Sequence, residues 1–398
     1  MSTTKFKIQM IEKSRALDHL LALLKIEGLS GQEGKVAAEA RKRLGAAGCK
    51  AAWIKHDNAH KRIGQDYEVG NLIVKIPGKG SLRTQPRRLF SGHMDTVPLC
   101  RGAIPEVSGD RIIAKGATAL GGDNKTAVAA LITVVESILI NNLPRPPLTF
   151  LFTVGEEVGL HGSRNVDLKD LGHPTFGINV DSSHPDYAII GAIGGDHWEA
   201  NIHGRSAHAG VHPDQGISAT LIASLAISDV AKQGYFGKIM IDGHHGTSNV
   251  GTITGGEATN QVTDHVRVTG ECRSHSRSFL RTITSVYRRA FNNAVKQVRN
   301  NRGERGSVEF LAKRGYDPFK ISERSEPVRR AKSAIKALGG DPHLVIADGG
   351  LDANNLSARG VPTVTLGAGQ YNPHTIDEYV NIEEYLTGCR LLTLLATS

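Results

Sequence analysis

Residues 155–157 read Gly-Glu-Glu and follow directly on the apolar run LTFLFTV. Adjacent carboxylates repel, and neighbours on a strand point to opposite sides. The pair therefore calls for two surroundings: a cation for one carboxylate and a separate task for the other. Other ionisable residues stand at comparable places. The run 88–91 leads into Gly92-His93-Met94-Asp95, 176–180 leads into Asp181, and 363–366 leads through GAGQYNP to His374. Asp123, in LGGDNK ahead of a helical pattern, reads on its own as an N-cap whose side chain accepts first-turn N–H bonds. Grouped with His93, Glu157, Asp181 and His374, it completes a set of two imidazoles and three carboxylates suited to zinc. With one carboxylate bridging, five side chains hold two ions. Asp95, two positions past His93, is placed to accept the second ring N–H and so fix the tautomer. Most of the 17 histidines read as ordinary, including His244 and His245 in DGHHGTSN.

Such a set suits amide hydrolysis. The reaction needs a nucleophile stronger than water, and zinc lowers the pKa of bound water from about 15.7 to about 7. A carboxylate base then takes the remaining proton and passes it to the leaving amine.

The elements that must position these residues are strands alternating with helices over the first half, which favours a mainly parallel sheet flanked by helices. Strands are predicted at 71–76, 88–91, 148–154, 176–180 and 363–366. A well-buried helix is predicted at 124–141 and another from about Ile382. In open α/β sheets the loops at the carboxyl ends of strands share one crevice, so residues far apart in sequence can meet there. The stretch 194–313 reads differently, as strand, helix, two strands, helix, strand. Within it Phe279, Ile283, Val286, Ala290, Phe291, Ala294 and Val298 keep helical spacing on one apolar stripe. It reads as an inserted α+β domain, leaving 1–193 and 314–398 as the catalytic domain.

A length of 398 residues calls for two domains or a large insertion. The four cysteines, Cys49, Cys100, Cys272 and Cys389, lie far apart with no CxxC spacing, so reduced thiols are expected. The first 26 residues read as an amphipathic helix, not a signal peptide. No run approaches the roughly 20 apolar residues of a membrane span, and a cytoplasmic protein without membrane partners is expected. The net charge is +9, with basic residues crowded between Arg273 and Lys332. That segment also carries acids and follows a helix, which marks a solvated face and excludes a nucleic-acid partner from the expectation.

The motifs SGHMDTVP, LGGDNKTAV, FTVGEEVGLHGS, NVDSS, GRSAHAGVHPDQGISA, NVGTITGGEATN and DGGLDANNLSARGVPTVTLGAGQYNPHTIDEYV occur in this order. Together they resemble the dinuclear zinc exopeptidase family of peptidase T, carboxypeptidase G and the aminoacylases, most of all its peptidase-T-like branch. The resemblance covers nearly the whole chain. It implies two zinc ions, with cobalt or manganese as alternatives: His93 and Asp181 on one, Glu157 and His374 on the other, and Asp123 bridging. It implies that Asp95 orients His93 and that Glu156 is the general base acting on a metal-bridged water. His208 would stabilise the tetrahedral intermediate, commonly from across a dimer formed through the inserted lid domain, and Asn260 and Arg273 would contact substrate. The activity implied is hydrolysis of short peptides by a tripeptidase or aminopeptidase; the alternative is an N-acyl amino acid amidohydrolase or a carboxypeptidase. A non-catalytic binding protein on this fold is opposed by the complete set of ligands and base. Two departures bear on the pocket: Ser182-Ser183 follow Asp181 where peptidase T has glycines, and Thr126-Ala127 replace the more familiar Ala-Gly after Lys125.

Overall fold

A computed structural model describes residues 11–398. The chain falls into two compact units, one made of the described chain up to Ala192 together with Lys320–Ser398, the other of Ile193–Phe319.

The first unit is built on a mixed sheet of β1 (Ile54–His56), β2 (Leu72–Ile76), β3 (Arg88–His93), β4 (Leu148–Thr153), β5 (Phe176–Val180), β6 (Tyr187–Ala192), β7 (His343–Ala347) and β8 (Thr363–Leu366). Their order is β1-β2-β4-β3-β5-β8-β6, with β7 also paired to β6. The centre is parallel: β3 runs with β4 and β5, and β5 with β8. The β1–β2, β2–β4 and β8–β6 ladders are antiparallel. Strands covered on both faces show unbroken apolar runs in place of alternation, and β3, β4 and β5 are buried throughout.

The covering helices include α1 (Lys13–Leu24), α2 (Gly34–Ala46), α3 (Gly122–Ile140), α4 (Asp352–Ala358) and α5 (Ile382–Thr397). α3 is buried along nearly its whole length between the sheet and α1, α2 and α5, as its apolar sequence requires. It lies so close to β3 that a Cβ on Gly92 would stand 2.5 Å from the Ala127 methyl. Residues 1–10 of the expected N-terminal helix lie outside the described residues; α1 covers the rest of that pattern. No helix among the described residues is long and apolar enough to cross a membrane.

The second unit is a five-stranded antiparallel sheet in the order Gly237–Ile241, His244–Gly255, His265–Ser274, Gly194–His203, Ser307–Tyr316. Helices Ala219–Lys232 and Arg277–Gln297 pack on it. Their stripes share one core with the sheet, centred on Trp198, Ile222, Ile283 and Phe291.

Several strands were not anticipated, Tyr187–Ala192, His343–Ala347 and Gly237–Ile241 among them. YAIIGA, HLVIA and GKIMI are short runs whose periodicity does not separate strand from loop or helix. The strand expected at 307–312 continues to Tyr316, which carries the unit to Phe319. His244 and His245 open a strand.

Candidate metal centre and active site

The registers bring the parallel strands to a common edge. His93, the last residue of β3, stands opposite Thr153, and Val180 opposite Leu366. The segments that follow converge on a cleft of ≈ 380 Å³ lined by His93, Asp123, Glu156, Glu157, Asp181 and His374. A larger groove of ≈ 660 Å³ lies on the sheet of the second unit, but it contains none of these residues. These predicted residues of the first unit gather in the smaller cleft.

Asp123 sits between the two imidazoles. Its Oδ1 is 3.1 Å from His93 Nε2 and its Oδ2 3.5 Å from His374 Nε2. On the His93 side, Asp181 Oδ1 is 3.8 Å and Glu156 Oε2 4.0 Å from the same ring nitrogen. On the other side, His374 Nε2 is 2.9 Å from Glu157 Oε1. One ligand atom each from His93, Asp123 and Glu157 fall within 4.8 Å of one another. His374 has φ 63°, a left-handed conformation of the kind retained where surrounding structure enforces it, often at functional sites. Asp123 does not cap α3: its backbone is non-helical (φ −79°, ψ 101°), and it is Asn124 Oδ1 that accepts the Ala127 N–H, at 3.3 Å.

The two carboxylates of the Gly-Glu-Glu step are separated by the turn that carries them. Gly155 has φ 58°, and a Cβ there would lie 2.2 Å from Tyr67 Oη, so glycine is required. The backbone N–H of Glu156 donates to Asp95 Oδ1 at 3.0 Å and that of Glu157 to Asp95 Oδ2 at 3.2 Å. Ser30 Oγ donates to the same carboxylate at 2.7 Å. Asp95 also addresses His93 as expected, but through two atoms: His93 Nδ1 is 2.9 Å from its main-chain oxygen and 3.4 Å from Oδ1. Asp95 thus fixes the first imidazole and the glutamate pair together.

Ionisation follows from burial and crowding. Burial pushes the Glu156 and Asp181 carboxyls well above their ordinary values, and neighbouring carboxylates add to it. Burial raises Glu157 too, against the hydrogen bond to His374. Burial opposes ionisation of Asp123, but hydrogen bonds with His374 and His93 outweigh it and hold this carboxyl below the usual range. The hydrogen bonds to Asp123 and Glu157 push His374 up to about 10. The carboxylates of this nest outnumber the two imidazoles facing them, and oxygen and nitrogen donors at this spacing are what a divalent ion requires. The donor set fits a metal.

Three predicted residues lie in the second unit. His208 is exposed, and its Nδ1 accepts N–H bonds from Gly210 and Val211, both at 3.2 Å. Asn260 is exposed and accepts from the Ala209 N–H through its main-chain oxygen at 2.8 Å. Arg273 is half-buried and paired with Glu271 at 3.0 Å. Sequence reasoning missed further residues around the cleft. Glu378 accepts from the N–H groups of Gly121 and Asp123, each at 2.8 Å, and so clamps the loop that presents Asp123. Glu33 accepts from the Gly31 N–H at 3.0 Å and the Gly155 N–H at 2.9 Å. Gln370 donates to Asp123 Oδ1 at 3.2 Å and to Asp181 Oδ1 at 3.4 Å. None of the three stands in a spacing that marks it beforehand.

Comparison with known proteins decides the family, since the model described as peptidase family M20/M25/M40 matches residues 89–398. The chain belongs to peptidase family M20/M25/M40. It is 30% identical over 387 residues to the protein YqjE of Bacillus subtilis (strain 168), covering 97% of this chain and 98% of that one. Peptidase T of Vibrio cholerae serotype O1 is 26% identical over 353 residues, 84% of this chain and 75% of the relative. Among solved structures, a tripeptidase from Staphylococcus aureus superposes with a TM-score of 0.85 at 28% identity, over 98% of both chains. The M20/M25/M40 member described here is therefore a metal-dependent peptidase.

Proposed function

We propose that the chain hydrolyses a peptide bond in short peptides, as a tripeptidase or aminopeptidase, with two metal ions, zinc before cobalt or manganese. His93 and Asp181 would hold one ion, Glu157 and His374 the other, and Asp123 both. The observation that carries this reading is the placement of Asp123, each of whose oxygens faces a different imidazole, at 3.1 and 3.5 Å. The relatives named peptidase T and tripeptidase support short peptides as the substrate class. When bound, such ions supply a water of lowered pKa and polarise the carbonyl.

The chain's own residues do the rest. Glu156, buried and with a raised pKa, takes a proton from the attacking water and delivers it to the leaving amine. Asp95 holds Glu156 and Glu157 by their backbones, so that one carboxylate is kept for the metal and the other for the proton. His208 suits the oxyanion: two N–H groups occupy Nδ1, which leaves Nε2 to carry the proton and donate it. Asn260 and Arg273 are proposed to bind substrate. A homodimer formed through the second unit, in which His208 serves the partner's site, completes the reading; a fully active monomer in sedimentation would refute that part. The four buried free thiols fit a reducing cytoplasmic compartment. A panel of di- and tripeptides set against N-acetyl amino acids tests the substrate: hydrolysis confined to the N-acetyl compounds would overturn the peptidase reading.

A further inference from the structure

Thr126 and Gln370 are polar, fully or nearly fully buried, and unused by the mechanism above. Gln370 lies on the short strand Gln370–Tyr371, and Thr126 on the first turn of α3. Gln370 Nε2 is 3.2 Å from Asp123 Oδ1 and 3.4 Å from Asp181 Oδ1, and its Oε1 is 2.6 Å from Thr126 Oγ1. The two carboxylate oxygens it meets are the ones directed at His93 Nε2, at 3.1 and 3.8 Å. They are not the ones shared with His374.

The donor inventory orients the pair. Asp123 Oδ1 already faces the His93 ring nitrogen as an acceptor, so the amide turns its NH2 toward that oxygen, with the second amide proton directed at Asp181 Oδ1. Its carbonyl oxygen then faces the Thr126 hydroxyl. Two oxygens 2.6 Å apart with no proton between them repel; the hydroxyl proton must therefore lie on that line. The other acceptors within reach of Thr126 Oγ1 are more distant, Gly122 O at 3.0 Å and Asn124 Oδ1 at 3.4 Å. A plain back-bond to the helix carbonyl would leave the amide oxygen buried without a donor.

We infer that Thr126 and Gln370 form a positioning clamp for one of the two metal sites. Thr126 sets the orientation of the amide, and the amide holds the facing oxygens of Asp123 and Asp181 at a common point beside His93. The inference rests on the two-metal reading and deepens it, because it assigns the clamp to the His93–Asp123–Asp181 site and leaves the Glu157–His374 site out of its reach.

The test compares Gln370→Leu, Thr126→Val and Thr126→Ser with the unaltered chain. Zinc affinity is measured by competition with a chromophoric chelator, and the visible spectrum is followed during cobalt titration of the metal-free protein. Far-UV circular dichroism serves as the folding control, and the near-isosteric Thr126→Val carries the test if Gln370→Leu does not fold. One of two equivalents should bind about 10–100-fold more weakly in Gln370→Leu and Thr126→Val, with the other within about threefold and only one cobalt band altered. Thr126→Ser, which keeps the hydroxyl, should bind both equivalents like the unaltered chain. The double variant should be no worse than Gln370→Leu alone, because the two residues act in series. Unchanged affinity for both equivalents in the single variants, or equal weakening of both, would overturn the clamp. If the unaltered chain bound fewer than two equivalents, the two-metal reading itself would fail.

Discussion

Replacing Asp95 by asparagine removes one oxygen from a carboxylate that is fully buried and serves four donors. Oδ1 accepts the Glu156 N–H at 3.0 Å and lies 3.4 Å from His93 Nδ1; Oδ2 accepts Ser30 Oγ at 2.7 Å and the Glu157 N–H at 3.2 Å. The ionised group has about four lone-pair positions, one for each donor. Asparagine keeps one acceptor oxygen and presents an NH2 in place of the other. If the NH2 replaces Oδ2, the Ser30 hydroxyl can turn and accept, but the Glu157 N–H meets another donor. If it replaces Oδ1, the Glu156 N–H is stranded. In either orientation one backbone N–H of the Glu156-Glu157 step is left buried without a partner, at about 1–3 kcal/mol. The surviving bonds lose their charge assistance, which adds about 1–2 kcal/mol. Urea unfolding of metal-free protein should therefore show Asp95→Asn destabilised by roughly 2–5 kcal/mol. Competitive titration should show its zinc affinity lowered about 10–100-fold, because the His93 ring and the Glu157 backbone are both released. Ser30→Ala, which removes one donor and orphans no N–H, should cost only about 1 kcal/mol. An Asp95→Asn chain within about 0.5 kcal/mol of the unaltered protein, binding zinc with unchanged affinity, would refute the role assigned to this carboxylate.

Glu156→Gln should keep its metal but lose about 10²–10⁴-fold in turnover; a variant as active as the unaltered chain removes Glu156 as the base. Glu157→Ala and Asp181→Ala should each lose metal before they lose fold, so metal content after dialysis should drop while circular dichroism stays constant. The Glu33 carboxyl is pushed by burial from 4.5 to about 7, and the nearby Asp95 charge adds to the rise. Between those values the folded chain holds a proton that the unfolded chain has released. The stability it contributes is complete below pH 4.5 and is lost as pH rises through about 7, by about 3 kcal/mol at about 1.4 kcal/mol per pH unit. Glu33→Gln, neutral throughout, should flatten the pH dependence of metal-free unfolding between pH 5 and 8; parallel curves for the two proteins would contradict the shift.

The parallel centre of the sheet and the residues at its carboxyl edge were legible because long buried strands leave unbroken apolar runs, and each run stopped at an ionisable residue. The same logic ended that strand at Ser91, whereas β3 continues two residues further, through His93, since a strand ends where its ladder ends and not where its apolar run does. Asp123 was ambiguous between cap and ligand when read alone; in the structure it stands between two imidazoles, at 3.1 and 3.5 Å, and caps no helix. The supporting residues were hidden. Glu378 reaches the Asp123 loop from 255 positions away in sequence, and Gln370 reaches Asp123 from 247 positions away. Contacts of that kind depend on how loops close over the sheet edge, and neither residue type nor spacing reports them. The second unit was legible in its helices, whose stripes are strongly periodic, and least so in the edge strand Gly237–Ile241, where one face is open and the pattern is weak.

Metal dependence with a defined stoichiometry is the property that a two-metal centre must show most directly. Protein stripped exhaustively by chelator and titrated with zinc should show no hydrolysis of a tripeptide at the start and should bind two equivalents per chain. Full activity should return only as the second site fills. Undiminished hydrolysis by the stripped protein, or full activity at one equivalent, would contradict the two-metal centre built around Asp123.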